Sequence, residues 1–247
     1  LERRVGIELF ESVGRRRILR ATVTPVLEHA RQVLALTLDV TAWAERLRTA
    51  QSGRVRLGMI DVAAVVHFPD VLRVFRAERA NVTFMLSVAS SRSLLDDVQR
   101  GALDLAVCVE PPEPIAGIDT TSLLSEPMIV YGPPRSTIGT PQSWGPWVLF
   151  PSDSHTRRLV VDRLTALGAP VTIAAESHQP DVLREMVLLG LGWTVRPRSQ
   201  GESERGDMAV GDQILERKLV LARRAGVVTD PAVDELAHRL KRRPTAD

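Results

Sequence analysis

Apolar positions recur at helical spacing along one stretch near the start of the chain, and afterwards at the changing spacing of alternating strands and helices. Between Thr24 and Gly53, the residues Val26, Ala30, Val33, Thr37, Val40, Ala44 and Leu47 follow at alternating steps of four and three. That is the seam along which one helix lies against another. Thr24 is placed to accept bonds from the first free N–H groups, Pro25 suits the first helical position, Glu28 faces the positive end of the helix dipole, and Gly53 supplies the stop. Such a rod is roughly 38 Å long. Leu27, Leu34, Leu38 and Trp43 widen its stripe beyond what a lone exposed helix tolerates, so self-association through Val26, Ala30, Val33, Val40, Ala44 and Leu47 is expected.

From Arg54 the period changes. Residues 54–60 alternate and then turn fully apolar, as a buried parallel strand does. Phe68 to Arg79 carries Phe68, Val71, Leu72 and Phe75 on one helical face behind Pro69, and Val82, Phe84, Leu86 and Val88 alternate as a second strand. Leu94, Leu95 and Val98 mark a short helix that Gly101 stops, and Leu103 to Val109 is a third strand. Right-handed crossovers make this β-α-β-α-β run an open parallel sheet with helices on both faces. A proline-rich passage, 110–119, leads into the apolar run 125–132 and a second round of strands and helices: 147–150, Thr156 to Leu167, 171–176, Asp181 to Leu189 and 192–197. Gln200 to Gly211 is polar and aperiodic and predicts a mobile loop. Residues 217–224 read as a returning strand, Asp230 and Pro231 open a last helix to Arg242, and 242–247 read as a loose tail.

The first residues carry a more specific pattern. Leu1, Glu2, Val5, Gly6, Leu9, Phe10, Gly14, Arg15, Arg16 and Leu19 stand at the spacing with which a winged helix-turn-helix ends and its basic wing begins. In this the chain resembles the LysR-type transcriptional regulators, in which the wing is followed by a linker helix. Ser12, Arg20 and Val23 depart from that pattern. Residues 82–107, with Gly101 and Asp104, are similar to the family's regulatory domain. The resemblance implies an α/β fold: a two-lobed effector domain like the type-two periplasmic binding proteins, preceded by a long linker helix and the remnant of a winged helix-turn-helix. It divides the chain into a DNA-binding remnant at 1–23, a dimerisation helix at 24–52, a first lobe at 53–123 with 222–247, and a second lobe at 124–221. By this alignment Leu1 falls at the end of the recognition helix, so a trimmed chain is expected.

Charge agrees with a partner at that end. The formal net charge is only +2, yet residues 1–58 hold 11 Arg against 6 acids, whereas the remainder holds 21 basic against 24 acidic residues. The basic end is expected to meet phosphate, and the resemblance assigns backbone contacts to Arg15, Arg16 and Arg17 of the wing, with Arg3 and Arg4 beside them. The content of hydrophobic residues, 44%, is enough for real cores, and no apolar run approaches the roughly 18 residues of a membrane span. The expectation is a cytoplasmic homodimer or homotetramer without a membrane partner. The single Cys108 excludes an internal disulfide and reads as a small buried residue.

A ligand in a two-lobed α/β fold lies between the lobes, against strand carboxyl ends and helix N-termini. That criterion selects Asp61 and Val62 after the first strand, Ser90 and Ser91 after the second, and Val109 after the third. In the second lobe it selects the run from Ser152 to Arg157, in particular Ser152, Ser154, His155 and Arg157, and then Ser177 and His178. Hydroxyls, free N–H groups, His155 and Arg157 together suit a carboxylate, so a small, anionic effector is expected. No catalytic constellation is seen. Ser154 lacks a glycine-flanked elbow, one Cys and five scattered His give no metal spacing, and no glycine-rich phosphate loop follows the first strand. Neither a cofactor nor a metal is expected. The leading expectation is a regulator whose effector controls DNA binding, and the alternative is a stand-alone binding or sequestering module without DNA function.

Overall fold

The computed structural model describes residues 2–13, 16–49, 53–202, 208–227 and 229–242. At the N-terminal end a short helix, α1 (Glu2–Val5), precedes a two-stranded antiparallel hairpin, β1 (Phe10–Val13) and β2 (Arg16–Leu19), with Phe10 opposite Leu19. The Glu2 carboxylate ties the two together by accepting from the Leu9 and Phe10 N–H groups at 2.9 and 3.3 Å. Those backbone donors hold Glu2 below the usual carboxylate range. Leu9 and Val23 are buried, while Phe10 is exposed with the Arg17 guanidinium 5.4 Å from its ring.

Helix α2 (Thr24–Thr49) follows a single 3-10 turn at Ala21–Val23. Contrary to the expectation from the sequence, Thr24 does not cap the helix by accepting. It is already helical, and its hydroxyl donates to the Ala21 carbonyl at 2.9 Å. The 3-10 turn supplies the start because the chain enters α2 already wound. Thr37 and Thr41 donate to the carbonyls one turn back, so these polar residues within the apolar stripe satisfy themselves locally. Val33, Leu34, Leu38 and Val40 are exposed along the rod.

The remainder is a two-lobed α/β module built on one six-stranded mixed sheet and one small parallel pair. In chain order its elements are β3 (Arg54–Met59), α3 (Pro69–Glu78), β4 (Thr83–Val88), α4 (Ser91–Gln99), β5 (Leu105–Val109) and the long β6 (Ile118–Gly132). Then come β7 (Trp147–Leu149), α5 (His155–Ala166), β8 (Ile173–Glu176), α6 (Pro180–Leu188), β9 (Thr194–Pro197), α7 (Arg198–Glu202), the long β10 (Ala209–Arg224) and α8 (Pro231–Lys241). The large sheet runs β4-β3-β5-β10-β6-β9, with β3 parallel to both β4 and β5. Gly58 lets α4 lie close on the sheet: a Cβ there would stand 2.5 Å from Leu94 and Leu103. The small pair β7 and β8 is parallel and reaches the large sheet through a bridge from Trp147 to Trp193.

Two long antiparallel strands, β6 and β10, run through both lobes. Their registers pair Arg224 with Ile118 at one end and Ala209 with Gly132 at the other. One core collects β3, β5, α3, α4 and α8 with Leu219 to Ala222, and a second collects Met128, Val130, Ile214 and the tryptophans Trp144, Trp147 and Trp193. Leu219 to Leu221 therefore pack with the first lobe, although the sequence division gives residues up to 221 to the second. The expected loop at Gln200 to Gly211 also differs. Gln200 lies in α7 and β10 begins at Ala209, with register shifts where Gly211 and Asp212 interrupt the apolar alternation. Residues 203–207 of that loop, and the tail from 243, lie outside the described residues. Cys108 sits in the centre of the sheet, where burial pushes its thiol up to about 12.

Candidate functional site

The strands β3, β4, β5 and β7 and the helices α4, α5 and α6 bring their ends to one cavity of about 550 Å³ between the lobes. Its first-lobe wall holds Asp61, Ser90, Ser91 and Val109, and its second-lobe wall holds Phe150, Ser154, Thr156 and His178. Ser90 is the N-cap of α4 and accepts from the Ser93 N–H at 3.3 Å, and Ser154 is the N-cap of α5 and accepts from the Arg157 N–H at 3.5 Å. Both caps are long. The positive ends of these two helices consequently open on the cavity without a close side-chain acceptor. Ser91 acts differently, because its hydroxyl accepts from the Val109 N–H at 3.1 Å and fixes the start of α4 to the end of β5.

The floor is an ion-pair network that spans both lobes. Arg217 on β10 lies directly opposite Glu126 on β6, and its Nη2 and Nε donate to the Glu126 Oε2 at 2.5 and 2.9 Å. Arg217 also donates to the Thr156 hydroxyl at 3.0 Å, and His67 bonds the other Glu126 oxygen at 2.5 Å. The side chains of Arg217 and Glu126 are only 4% and 2% exposed, yet both find partners. Burial pulls the Glu126 carboxyl up, but the Arg217 guanidinium and the bond from His67 outweigh it and leave the group below the usual carboxylate range. Arg217 is the cation that reaches the cavity wall.

Other selected residues stand elsewhere. Val62 is 1% exposed and belongs to the first-lobe core, because the chain turns inward after Asp61. Arg157 folds back, with Nη1 on the Phe150 carbonyl at 2.8 Å and on the Glu176 carboxylate at 3.1 Å, so it braces the wall and does not line it. Ser177 accepts from the Gln179 N–H at 3.1 Å and shapes the turn into α6. Ser152 and His155 line a neighbouring cleft of about 490 Å³ with Arg92, Glu113 and Arg158. Burial holds the His155 ring below the ordinary histidine value. Asp61 meets Gln200 across a 3.1 Å hydrogen bond.

Arg217 and Glu126 are the residues that sequence reasoning passed over. Glu126 precedes an apolar run and Arg217 sits between Glu216 and Lys218, so neither stands out locally; their opposition across two long neighbouring strands is plain only from the pairing of β6 with β10. No group of His, Cys, Asp and Glu among the described residues is arranged to hold a metal ion, and no described helix is long and apolar enough to cross a membrane.

Residues 48–244 match the family model of the LysR substrate binding domain. The chain belongs to the LysR family of transcriptional regulators. Among curated relatives, the transcriptional regulator IlvR of Caulobacter vibrioides is 28% identical over 244 residues, covering 90% of this chain and 80% of that protein. Among solved structures, the effector-binding domain of QuiR in complex with shikimate superposes with a TM-score of 0.68 at 16% identity, over 78% of this chain and 97% of that one. Full-length CbnR complexed with its target DNA gives a TM-score of 0.63 at 16% identity, over 98% of this chain and 86% of that one. These likenesses place the LysR-type effector-binding fold on the two lobes described above, and nothing in them favours a stand-alone sequestering module.

Proposed function

We propose that this LysR-type regulator senses a small anionic metabolite in the cavity between its lobes and converts its capture into altered DNA binding. The observation that carries the reading is the convergence of Arg217 and the open N-termini of α4 and α5 on one cavity of about 550 Å³. Helix N-termini and a guanidinium favour a carboxylate or similar group without protein rearrangement. Ser90, Ser154, Thr156 and Arg217 contact the anion in this reading, Asp61, Val109 and His178 shape the rest of the wall, and Ser91 and Arg157 hold the walls in place. Because β6 and β10 run through both lobes, a ligand that draws the walls together favours one arrangement of the lobes over another.

On the DNA side the exposed Arg3 and Arg4 of α1 and Arg16 and Arg17 of β2, with Arg15 outside the described residues, contact phosphates and position the protein without reading bases. Helix α2 pairs copies into a homodimer, or a homotetramer of two such pairs, through Val26, Ala30, Val33, Val40 and Ala44; the side chain of Leu47 lies outside the described residues. The parts are a winged remnant at 1–23, a linker helix at 24–52 and the two lobes beyond. The protein works in the cytoplasm as a regulator and not as an enzyme. A thermal-shift screen with small organic acids tests the central part: a ligand present at a hundred times its Kd stabilises by about 2.7 kcal/mol, so at least one acid raises the melting temperature. No response from any acid at millimolar concentration contradicts the reading.

A further inference from the structure

The charged groups at the two sides of the cavity are met differently. Arg217 stands at the second-lobe side beside Thr156, and its charge is already balanced by Glu126. Asp61 stands at the first-lobe side, at the carboxyl end of β3, and its charge is not balanced in this way. Its carboxylate accepts one hydrogen bond, from the Gln200 amide, and it forms no ion pair with a Lys or Arg among the described residues. A half-buried carboxylate without a cation is unfavourable, and it repels any ligand that brings negative charge close to it. An ammonium group satisfies it. The lining also includes Ile60, Val88, Val109 and Phe150, so part of the wall is apolar.

We infer that the effector is an amino acid, α or ω, whose carboxylate lies beside Arg217 and the helix N-termini and whose ammonium group pairs with Asp61. This rests on the reading of the cavity as the effector site and narrows it from anions in general to zwitterions. Dicarboxylates bind poorly because their second charge meets Asp61. Plain monocarboxylates bind weakly because they leave Asp61 unpaired.

Calorimetric titration of the whole chain with matched triplets tests the inference. Each triplet contains an amino acid, the acid that lacks its amino group, and the amine that lacks its carboxylate. In at least one triplet the amino acid binds roughly ten- to a hundredfold more tightly than its deaminated acid. Asp61→Asn keeps an oxygen for the Gln200 amide, and it removes the preference for the amino acid: affinity for the amino acid falls toward that for the acid, while affinity for the acid does not fall. Asp61→Ser gives the same loss, and the melting temperature of each ligand-free variant shows that it folds. Plain acids that bind as tightly as their amino acids, with no effect of Asp61→Asn, overturn the zwitterion and leave the anionic effector standing. Absence of binding by every carboxylate-bearing compound overturns both.

Discussion

The effector module and helix α2 handle apolar residues in opposite ways. In the module, Val55, Leu57, Met59, Leu105 and Leu219 are fully enclosed, and even its ion pair between Arg217 and Glu126 has every charge met. Along α2, Val33 is 50% and Val40 61% exposed, on the face that carries the heptad seam. Fully burying such a side chain stabilises by about 1.5–3 kcal/mol, a gain that the module has realised internally and that the proposed pairing of α2 with a second copy would supply. The module buries its own apolar residues, whereas the helix leaves an apolar face open to a partner.

The largest expected effect breaks the module from within. Glu126→Ala leaves Arg217 buried without its partner, which costs about 3–5 kcal/mol. Chemical denaturation reads this as a lower midpoint. The double variant Glu126→Leu with Arg217→Met removes both charges and recovers most of the stability while remaining unable to hold an anion. Recovery of binding as well would show that Arg217 does not face the ligand.

The second effect breaks the assembly and spares the module. Val33→Glu with Val40→Glu places charges where the partner helix packs, which is strongly unfavourable on burial. Light scattering is expected to show a shift toward monomer, with the melting transition of the module unchanged. An unchanged mass removes α2 as the interface.

A smaller effect concerns Arg157. Its bonds to the Phe150 carbonyl and Glu176 turn it away from the cavity, so Arg157→Ala changes the affinity for an anionic ligand by less than about threefold. A loss beyond tenfold in titration calorimetry would mean that the wall rearranges to bring this guanidinium into the site.

The smallest effect is a pH dependence of the module alone. Glu126 is held below its ordinary value in the folded state, so its contribution is present above the unfolded carboxylate value of about 4.3 and is lost as pH falls through the folded value. His155 is also held low, by burial, so the unfolded chain takes up its proton first and stability falls as pH drops below about 6.5. Melting temperatures measured from pH 8 down to pH 3 are expected to fall, and His155→Gln is expected to flatten the part of that fall nearest neutrality while leaving the part below about pH 4.3.

The alternation of strands and helices from Arg54 to Val109 was legible because each apolar period there belongs to one element with one buried face. Helix caps were legible too, since Ser90 and Ser154 are small polar residues directly before apolar helices. The side chains around them were harder to place. Successive residues of a first helical turn point about 100° apart, and so Ser154 and Thr156 line the main cavity, His155 faces the neighbouring cleft and Arg157 folds back. Arg217 escaped for another reason: it reaches the site from the middle of a strand, and a rule that looks at strand ends does not find it. The early start of β10 was hidden because Gly211, Asp212 and Gln213 lack apolar alternation, and the pairing with β6 that makes them a strand is not a local property.

The central claim is that the cavity between the lobes is where the effector acts, and blocking it without removing a single hydrogen bond is the most direct test. Ala89 lines the cavity and is partly buried, so Ala89→Trp fills the space with an indole. Titration calorimetry of this variant with an acid or amino acid that binds the parent chain is expected to show at least a hundredfold weaker binding, on the order of 2.7 kcal/mol, with DNA binding in the absence of ligand retained. Parental affinity in a folded Ala89→Trp variant would place the effector somewhere else and contradict the account.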